Sequence, residues 1–458
     1  MTLDEEIAAL RAENEALRTE NEVLRTQVGI LEEELKEAQE RIAELERGKK
    51  GPPLWVKANK RRDRGPRAAR RKRAAEKNHG RKRETPTKVV VHALEHCPTC
   101  GGQLSGQSLA WRRQVIDLPP PQAAEVTEHR VLKRWCPQCK RWHMPRLDLR
   151  GQVLGQGRLG VHLVSVIAYL RTRLRLPYRL IQEYLRTMHR VELSVGELVE
   201  VLARMQQAVA PALQSLREQM QDSAILHMDE TGWREGGRNG YLWVGSTPGA
   251  EGVRYYEYAA SRSREVVRRF LGARFDGVLC SDFYGAYNLY LGAHQRCWVH
   301  LLRDLQALKE EHGDQEEVVA WAEKVRALYD EAQQFLKRVP APSAEERQRQ
   351  YLTFLERLQP LGLAYAQQKK HPCQALAKRL LRHQDELFSF VLHEGLAADN
   401  NLAERSLRPL VVARKISGGT RSERGSKIAT ALASLFETWR ARGQNSLTQC
   451  LSLLAQGP

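Results

Sequence analysis

No run of 18 apolar residues interrupts the 458-residue chain, so no membrane-spanning helix is expected. The first residues are acidic where a secretory leader would be basic and then apolar, so no export is expected. Cysteine is scarce. Four of the eight cysteines stand in two C-x-x-C pairs and the rest are scattered singly, which excludes a disulfide framework and suits a reducing compartment. Negative charge is nearly missing from residues 49–88, where 17 lysines and arginines face only Asp63, Glu76 and Glu84. A segment this basic, with Pro and Gly and few apolar residues, cannot fold alone, but it gains by releasing counterions from a polyphosphate. Nucleic acid is the expected partner, and a soluble cytoplasmic, nucleoid-associated protein is the expected setting. A solvated charge run without a ligand is the alternative.

The whole chain carries a formal charge of +18 and is long enough for roughly three domains. Leu3, Leu10, Leu17, Leu24 and Leu31 repeat every seventh residue, with Ile7, Asn14, Asn21, Val28, Leu35 and Ile42 four residues after heptad positions of that series. Leucine at d and asparagine at two a positions favour a parallel two-stranded coiled coil, since each buried Asn is best satisfied by its own counterpart. Residues 1–47 are therefore expected to dimerise the chain, and residues 48–88 to form a basic linker containing Lys60, Arg61, Arg62, Arg70, Arg71, Lys72 and Arg73 as DNA contacts.

Cys97-Pro-Thr-Cys100 and Cys136-Pro-Gln-Cys139 follow, within an expected zinc-binding module over 89–150. Two thiolate pairs in tight turns give the four soft ligands of a structural Zn²⁺. The stretch between them alternates through Val115-Ile116-Asp117-Leu118 and Glu125-Val126-Thr127, which predicts a β-rich insert. Residues 151–222 carry helical periodicity, and Ser194-x-x-Glu197 is a capping box that opens a helix through Met205. The helices on either side of Arg190–Leu193 read equally as a DNA-binding helix-turn-helix or as plain helical packing.

From residue 224 the period becomes strand-like. Ala224 to Met228 runs into Asp229, which is expected to end a buried strand. Asn239-Gly240 signals a hairpin, Tyr241–Val244 and Val253–Tyr258 read as strands, Arg264–Leu271 as a helix, and Gly277–Cys280 as a strand ending in Ser281-Asp282. A further strand over Gln295–Trp298 leads into a helix near His300. This order is that of a multidomain α/β protein with a ribonuclease-H-like core, whose first and fourth strands lie side by side. Acids at the ends of adjacent strands face one cleft, and a hard cation relieves their repulsion. The third ligand is expected from the helix in Asp399-Asn-Asn-Leu-Ala-Glu404. Asp229, Asp282 and Glu404 then suit two Mg²⁺ ions, replaceable by Mn²⁺, for in-line phosphoryl transfer.

Competing residues have plainer readings. Glu230 should point away from the cleft, Asp399 should cap the Glu404 helix with help from Asn400 and Asn401, and Asp304 and His227 should be structural. Cys297 and His300 form a C-x-x-H; an active-site-positioning or packing role for His300 is expected over a separate metal site. Trp233, Tyr284 and Tyr287 could stack on an unpaired base, with core packing the safer assumption. Arg405, Arg408, Arg414 and Lys415 share the glutamate's helix and are candidates for holding phosphates, Arg408, Arg414 and Lys415 foremost.

By these motifs the chain resembles the large transposase of the insertion-sequence-66 family, within the DDE transposases. The resemblance rests on the zipper, basic linker and two-knuckle module, then Leu226-His-Met-Asp229-Glu-Thr-Gly-Trp233, Ser281-Asp-Phe-Tyr-Gly-Ala-Tyr287, Cys297-Trp-Val-His300 and Asp399 to Pro409. It implies DNA strand cleavage and transfer at terminal inverted repeats, with target DNA as second substrate and small companion proteins compatible with it. It also implies that a helical insertion, 303–395, divides the catalytic core into 223–302 and 396–458. A catalytically idle DNA-binding regulator and a nuclease that cuts without joining are the rivals. The first should have lost an acid, and the second leaves the zipper, arm and zinc module without a purpose.

The zipper reading predicts that a peptide of residues 1–47 sediments as a dimer. Asn14→Leu with Asn21→Leu should stabilise its helices while loosening the preference for two strands. A monomer in analytical ultracentrifugation contradicts this.

Overall fold

A computed structural model describes residue 39 and residues 84–273, 275–338 and 341–456. The zipper, apart from Gln39, and the basic segment as far as residue 83 lie outside the described residues, and with them Lys60, Arg61, Arg62, Arg70, Arg71, Lys72 and Arg73. The chain divides into two compact units, 1–117 and 118–458. Among the described residues no helix is long and apolar enough to cross a membrane.

In the first unit, Cys97 and Cys100 flank a tight turn. The Gly101 N–H donates to the Cys97 carbonyl at 2.9 Å and the Cys97 N–H to the Gly102 carbonyl at 2.8 Å. Gly101 has a φ of +74°, a conformation that costs glycine little. Residues 104–133 form no strand, contrary to the expected β-rich insert. Val115, Ile116 and Val126 are exposed. Alternation alone does not make a sheet, which needs a neighbouring backbone to take its hydrogen bonds.

The second unit opens with a hairpin of β1 (Arg134–Cys136) and β2 (Arg141–His143). Four helices follow: α1 (Val161–Thr172), α2 (Tyr178–His189), α3 (Val195–Ala208) and α4 (Ala210–Gln221). The capping box is formed as expected, with Ser194 Oγ accepting from the Glu197 N–H at 3.1 Å and the Glu197 carboxylate accepting from the Ser194 N–H at 2.9 Å. Ile167, Ile181, Leu185, Leu198 and Leu202 are buried within the larger core that these helices share with one face of the sheet.

That sheet contains β3 (Ile225–Glu235), β4 (Arg238–Ser246), β5 (Arg254–Ala259), β6 (Val278–Ser281) and β7 (His294–Arg296), in the order β5-β4-β3-β6-β7. The first and fourth of these strands are neighbours and run parallel, as expected. Helix α5 (Arg264–Leu271) has the expected bounds. Two local expectations need correction. β3 does not end at Asp229 but continues to Glu235, because β4 supplies antiparallel partners after the parallel pairing with β6 stops at His227. The hairpin turn lies at Gly236-Gly237, with φ of +56° and +83°, and not at Asn239-Gly240. Two glycines take the two left-handed positions of such a turn more cheaply than Asn-Gly, and Gly240 lies within β4, where a Cβ would run into the Tyr258 ring.

From β7 the chain enters α6 (Trp298–Glu311), α7 (Glu316–Leu336), α8 (Ala344–Ala366), α9 (Gln374–Arg382), α10 (Gln384–Leu387) and α11 (Ser389–Leu392). These helices build their own core around Trp298, Trp321, Phe354 and Phe388, joined to the sheet by Val278 and Cys280. Asp304 is structural as expected, paired with Arg379 at 2.5 Å. The chain then returns as α12 (Asn401–Ser417), α13 (Glu423–Ala441) and α14 (Ser446–Ala455). Helix α12 lies on β3 and β4, where Ala403, Leu407 and Leu410 meet Trp233, Leu242, Val244 and Tyr256.

Arg296, only 1% exposed, ties the edge strand to its surroundings. Its guanidinium pairs with Glu386 and donates to the Asp282 carbonyl at 2.9 Å and to Asn288 Oδ1 at 2.7 Å. Burial opposes ionisation of Glu386, but a hydrogen bond with His383 and the charge of Arg296 hold its carboxyl at about 2. Arg296→Met should cost about 3–5 kcal/mol, because it removes a buried cation from a carboxylate and a carbonyl that keep only His383 and the Ser281 hydroxyl. The half-exposed Arg357–Glu331 pair is the control: Arg357→Met should cost at most about 1 kcal/mol. Chemical denaturation of both variants checks the contrast.

Candidate active site

The register of the two parallel strands brings the first two acids together. Leu226 pairs with Leu279 and His227 with Cys280, so two residues further on Asp229 stands beside Asp282, just past the last paired residues. There β6 has ended while β3 continues. Burial pushes the Asp229 carboxyl up to about 8, and the charges of Glu230, Asp282 and Glu404 add to that rise against a hydrogen bond from the Glu230 N–H. All three expected acids thus act on one spot.

Glu404 arrives there from the first turn of α12, and Asn400 places that turn. Asn400 is 1% exposed. Its Nδ2 donates to the Met228 carbonyl at 2.7 Å, its Oδ1 lies 3.2 Å from His227 Nδ1, and its N–H donates to Cys297 Sγ at 3.2 Å. The Asn400 carbonyl accepts from the Glu404 N–H at 3.2 Å. Its side chain is fully occupied by β3 and makes no cap for the helix. The cap position is thus Asn400 and not Asp399 as expected; Asp399, one residue earlier, serves the helix start by accepting from the Asn401 N–H at 2.9 Å. His227, held down at about 4 chiefly by burial, is the structural sheet histidine that the sequence suggests.

Asp282 is fixed from the other side. Its Oδ1 accepts from the Tyr284 N–H at 2.9 Å, while its carbonyl takes both Arg296 and the Ser281 hydroxyl. Glu230 does not face this cleft with a free carboxylate. Its side chain is 2% exposed, pairs with Arg262, and accepts from the Tyr287 hydroxyl at 2.5 Å. Arg262 in turn lies 3.7 Å above the Tyr284 ring, and the Tyr284 hydroxyl donates to the Arg262 carbonyl at 2.5 Å. Tyr287 is buried. Both tyrosines therefore brace the site through their hydroxyls. Sequence reasoning missed Arg262, Arg296 and the clamp made by Asn400; only the last had a signal, its place four residues before Glu404.

His300 is brought to the acids: its Nε2 is 3.9 Å from Glu404 Oε1, while its Nδ1 is buried without a partner among the described residues. Trp233 is buried instead beneath α12, and its Nε1 donates to Thr420 Oγ1 at 3.0 Å, so it supports the site by packing. Arg405, Arg408 and Lys415 are exposed on α12. Arg414 is spent on the backbone, donating to the Gly232 carbonyl and to Thr231 Oγ1 at 3.3 Å. Away from the acids, N–H groups of Thr99 and Cys100 lower the Cys97 thiol below its usual range, and that of Cys139 does the same for Cys136.

A raised carboxyl sets a sign for pH dependence. The folded chain holds a proton on Asp229 that the unfolded chain has released above about 3.9, so this contribution to stability is lost as pH rises through about 8. A divalent cation bound there would have to displace that proton. The rise in melting temperature caused by Mg²⁺ or Mn²⁺ should therefore grow from pH 6.5 to about 8.5, and Asp229→Asn should abolish it. Equal shifts in the variant and the parent chain contradict the assignment.

Comparison with known proteins shows the family of the chain. Residues 156–428 match the model of the IS66 transposase family, and residues 95–140 match that of the zinc-finger binding domain of IS66 transposases. The second match contains Cys97, Cys100, Cys136 and Cys139, which supports a structural zinc. Two uncharacterized proteins of Sinorhizobium fredii are also similar. Protein y4qI is 27% identical over 219 residues, 44% of this chain and 40% of that protein. Protein y4jO is 32% identical over 178 residues, 38% of this chain and 51% of that protein. The chain thus spans about half or less of the curated relatives that it matches. The family model alone covers more than half of the present chain, and the chain belongs to the IS66 transposase family.

Proposed function

We propose that the chain cleaves DNA at the terminal repeats of an insertion sequence and joins the released ends to target DNA, from a ribonuclease-H-like core. The observation that carries this reading is the convergence of Asp229, Asp282 and Glu404 on one partly buried spot. A donor set of three carboxylates, one with its pKa driven up to about 8, suits hard divalent cations. Two bound Mg²⁺ ions, or Mn²⁺ in their place, would supply Lewis acidity to the attacking and leaving oxygens of phosphoryl transfer. The sheet order β5-β4-β3-β6-β7, with β3 and β6 parallel at its centre, favours the core assignment.

The side chains divide the remaining work. Asp229, Asp282 and Glu404 hold the cations, while Asn400 and Arg296 hold the backbone that carries them. His300 stands beside Glu404, its Nε2 3.9 Å from Oε1. Arg405, Arg408 and Lys415, exposed on α12, offer guanidinium and ammonium groups to phosphates. Arg414 contributes less, since its hydrogen bonds go to β3. In this reading residues 223–302 and 396–458 are the catalytic core, 303–395 an insertion, 151–222 a DNA-binding helical region, 89–150 a zinc module, and 1–88 a dimerising and DNA-contacting extension. Double-stranded DNA is the substrate, a homodimer pairs the two ends, and small companion proteins are compatible with the arrangement. Intact acids argue against an idle regulator.

The experiment is a cleavage and strand-transfer assay on paired terminal-repeat DNA. Asp229→Asn, Asp282→Asn and Glu404→Gln should each bind the repeats normally in gel shifts, yet lose activity by several orders of magnitude. A double variant should be scarcely worse than either single one, because the acids act as a unit. If all three variants cut at the parent rate, the two-metal reading fails; if only Asp399→Asn is dead, the wrong acid was chosen on α12.

A further inference from the structure

The hairpin of β1 and β2 offers one metal donor more than the two thiolates that the sequence singles out. Cys136 pairs with Arg141 and Arg134 with His143, so Cys136, Arg141 and His143 share one face of the ribbon. Trp135 and Trp142 meet edge to face across the other, with ring centroids 5.8 Å apart. The face is thereby fixed: rotating His143 away from Cys136 would break the tryptophan pair. Cys136, Cys139 and His143 each bring a ligand atom to within 4.8 Å of the other two. Donors around a tetrahedral zinc, with sulfur at about 2.3 Å, stand about 3.8 Å from one another, so closing the set takes a contraction of about 1 Å. Cys139 and His143 are exposed and free to make it.

The turn between the strands has the shape of a metal knuckle. The Cys139 N–H points at Cys136 Sγ, 3.4 Å away. Lys140, just after the second cysteine, has a φ of +49°, as Gly101 after Cys100 has +74°. A lysine in that conformation costs about 1–2 kcal/mol, and such strain persists only where the surroundings demand it. Bending the chain this way turns N–H groups toward the sulfur, which favours thiolate over thiol.

We propose that His143 is a zinc ligand, and that Cys136, Cys139 and His143 form a three-donor site able to hold Zn²⁺ without either thiolate of the first pair. The inference rests on the reading of zinc as a structural ion and goes beyond it, since the expected set was four thiolates. A neutral imidazole beside two thiolates leaves the bound ion uncharged overall, where four thiolates would leave two negative charges. In a protein that meets DNA, that difference favours the histidine.

The test uses the full chain, freed of metal and titrated with Co²⁺, whose thiolate charge-transfer absorption reports binding independently of activity. The parent chain should take up one equivalent. Cys97→Ser with Cys100→Ser should still take up one equivalent with thiolate absorption, and adding His143→Asn should weaken that binding by about a hundredfold or more, beyond what loss of an outer-shell partner costs. His143→Asn alone should lower the zinc affinity of the otherwise native chain in competition with a chelator. The proposal is overturned if the double serine variant binds no metal, if adding His143→Asn changes nothing, or if His143→Asn alone leaves the affinity untouched. A parent chain that binds neither Co²⁺ nor Zn²⁺ removes the zinc reading as a whole.

Discussion

Carboxylates repel one another more where water screens them poorly, and this chain gathers Asp229, Asp282 and Glu404 at a partly buried place with Glu230 directly beside them. Left to itself the cluster would spread apart, since each acid lies on a different element. It is held because backbone and side-chain hydrogen bonds fix the elements, and backbone N–H groups also hold the Asp229 and Asp282 carboxylates. Tyr284 and Arg296 fix the chain at Asp282, β4 fixes β3, and Asn400 fixes the start of α12. The fourth acid is neutralised locally: Glu230 takes Arg262 and the Tyr287 hydroxyl, and so contributes rigidity without competing for a cation. Under the proposed function, three acids remain for ligand binding.

Asn400 shows how the competition between local and tertiary demands is decided here. A side-chain cap at a helix start is worth about 1 kcal/mol. A buried hydrogen bond contributes a similar amount, but leaving a buried partner unsatisfied costs about 1–3 kcal/mol. Asn400 faces the Met228 carbonyl, His227 and Cys297, all buried, so its side chain and N–H satisfy the strand junction and the helix goes without that cap. The helix start is instead served by Asp399. Two adjacent residues with interchangeable capping chemistry thus have separate duties: one docks the helix and the other begins it.

Much of the core was legible because its signals are local. The helix Arg264–Leu271 and the Ser194–Glu197 capping box were read directly, and the strands leading to Asp229 and Asp282 were recognised from short apolar runs. What failed depended on a distant partner. The length of β3 is set by β4, which outlasts the parallel pairing with β6, and nothing within residues 229–235 announces it. The alternating residues of 104–133 had the pattern of a strand but form none. Gly236-Gly237 outcompeted Asn239-Gly240 as a turn once Tyr258 demanded a missing Cβ at Gly240. The acids that converge on one spot are legible from the ends of strands and a helix; their braces, Arg262 and Arg296, are not, because an arginine in a loop or an edge strand looks like any surface charge until its partner is known.

The helices between β7 and α12 illustrate the same dependence at larger scale. They could be pictured as an appendage spliced between Asp282 and Glu404, since their core is their own. Yet their last two short helices return to β7: the Gln295 side chain donates to the Leu387 carbonyl and accepts from the Phe390 N–H, and the Ser389 hydroxyl donates to the His294 carbonyl. Glu386, on the first of them, is the partner of Arg296, which also donates to the Asp282 carbonyl. These contacts cover the exposed edge of the sheet, which would otherwise offer unpaired backbone groups. They also connect the interior of the helical segment to the position of one acid through a single guanidinium. A segment packed only against itself could drift without moving Asp282, whereas this one cannot, and that is a physical reason for a helical segment to be set between the second acid and the third.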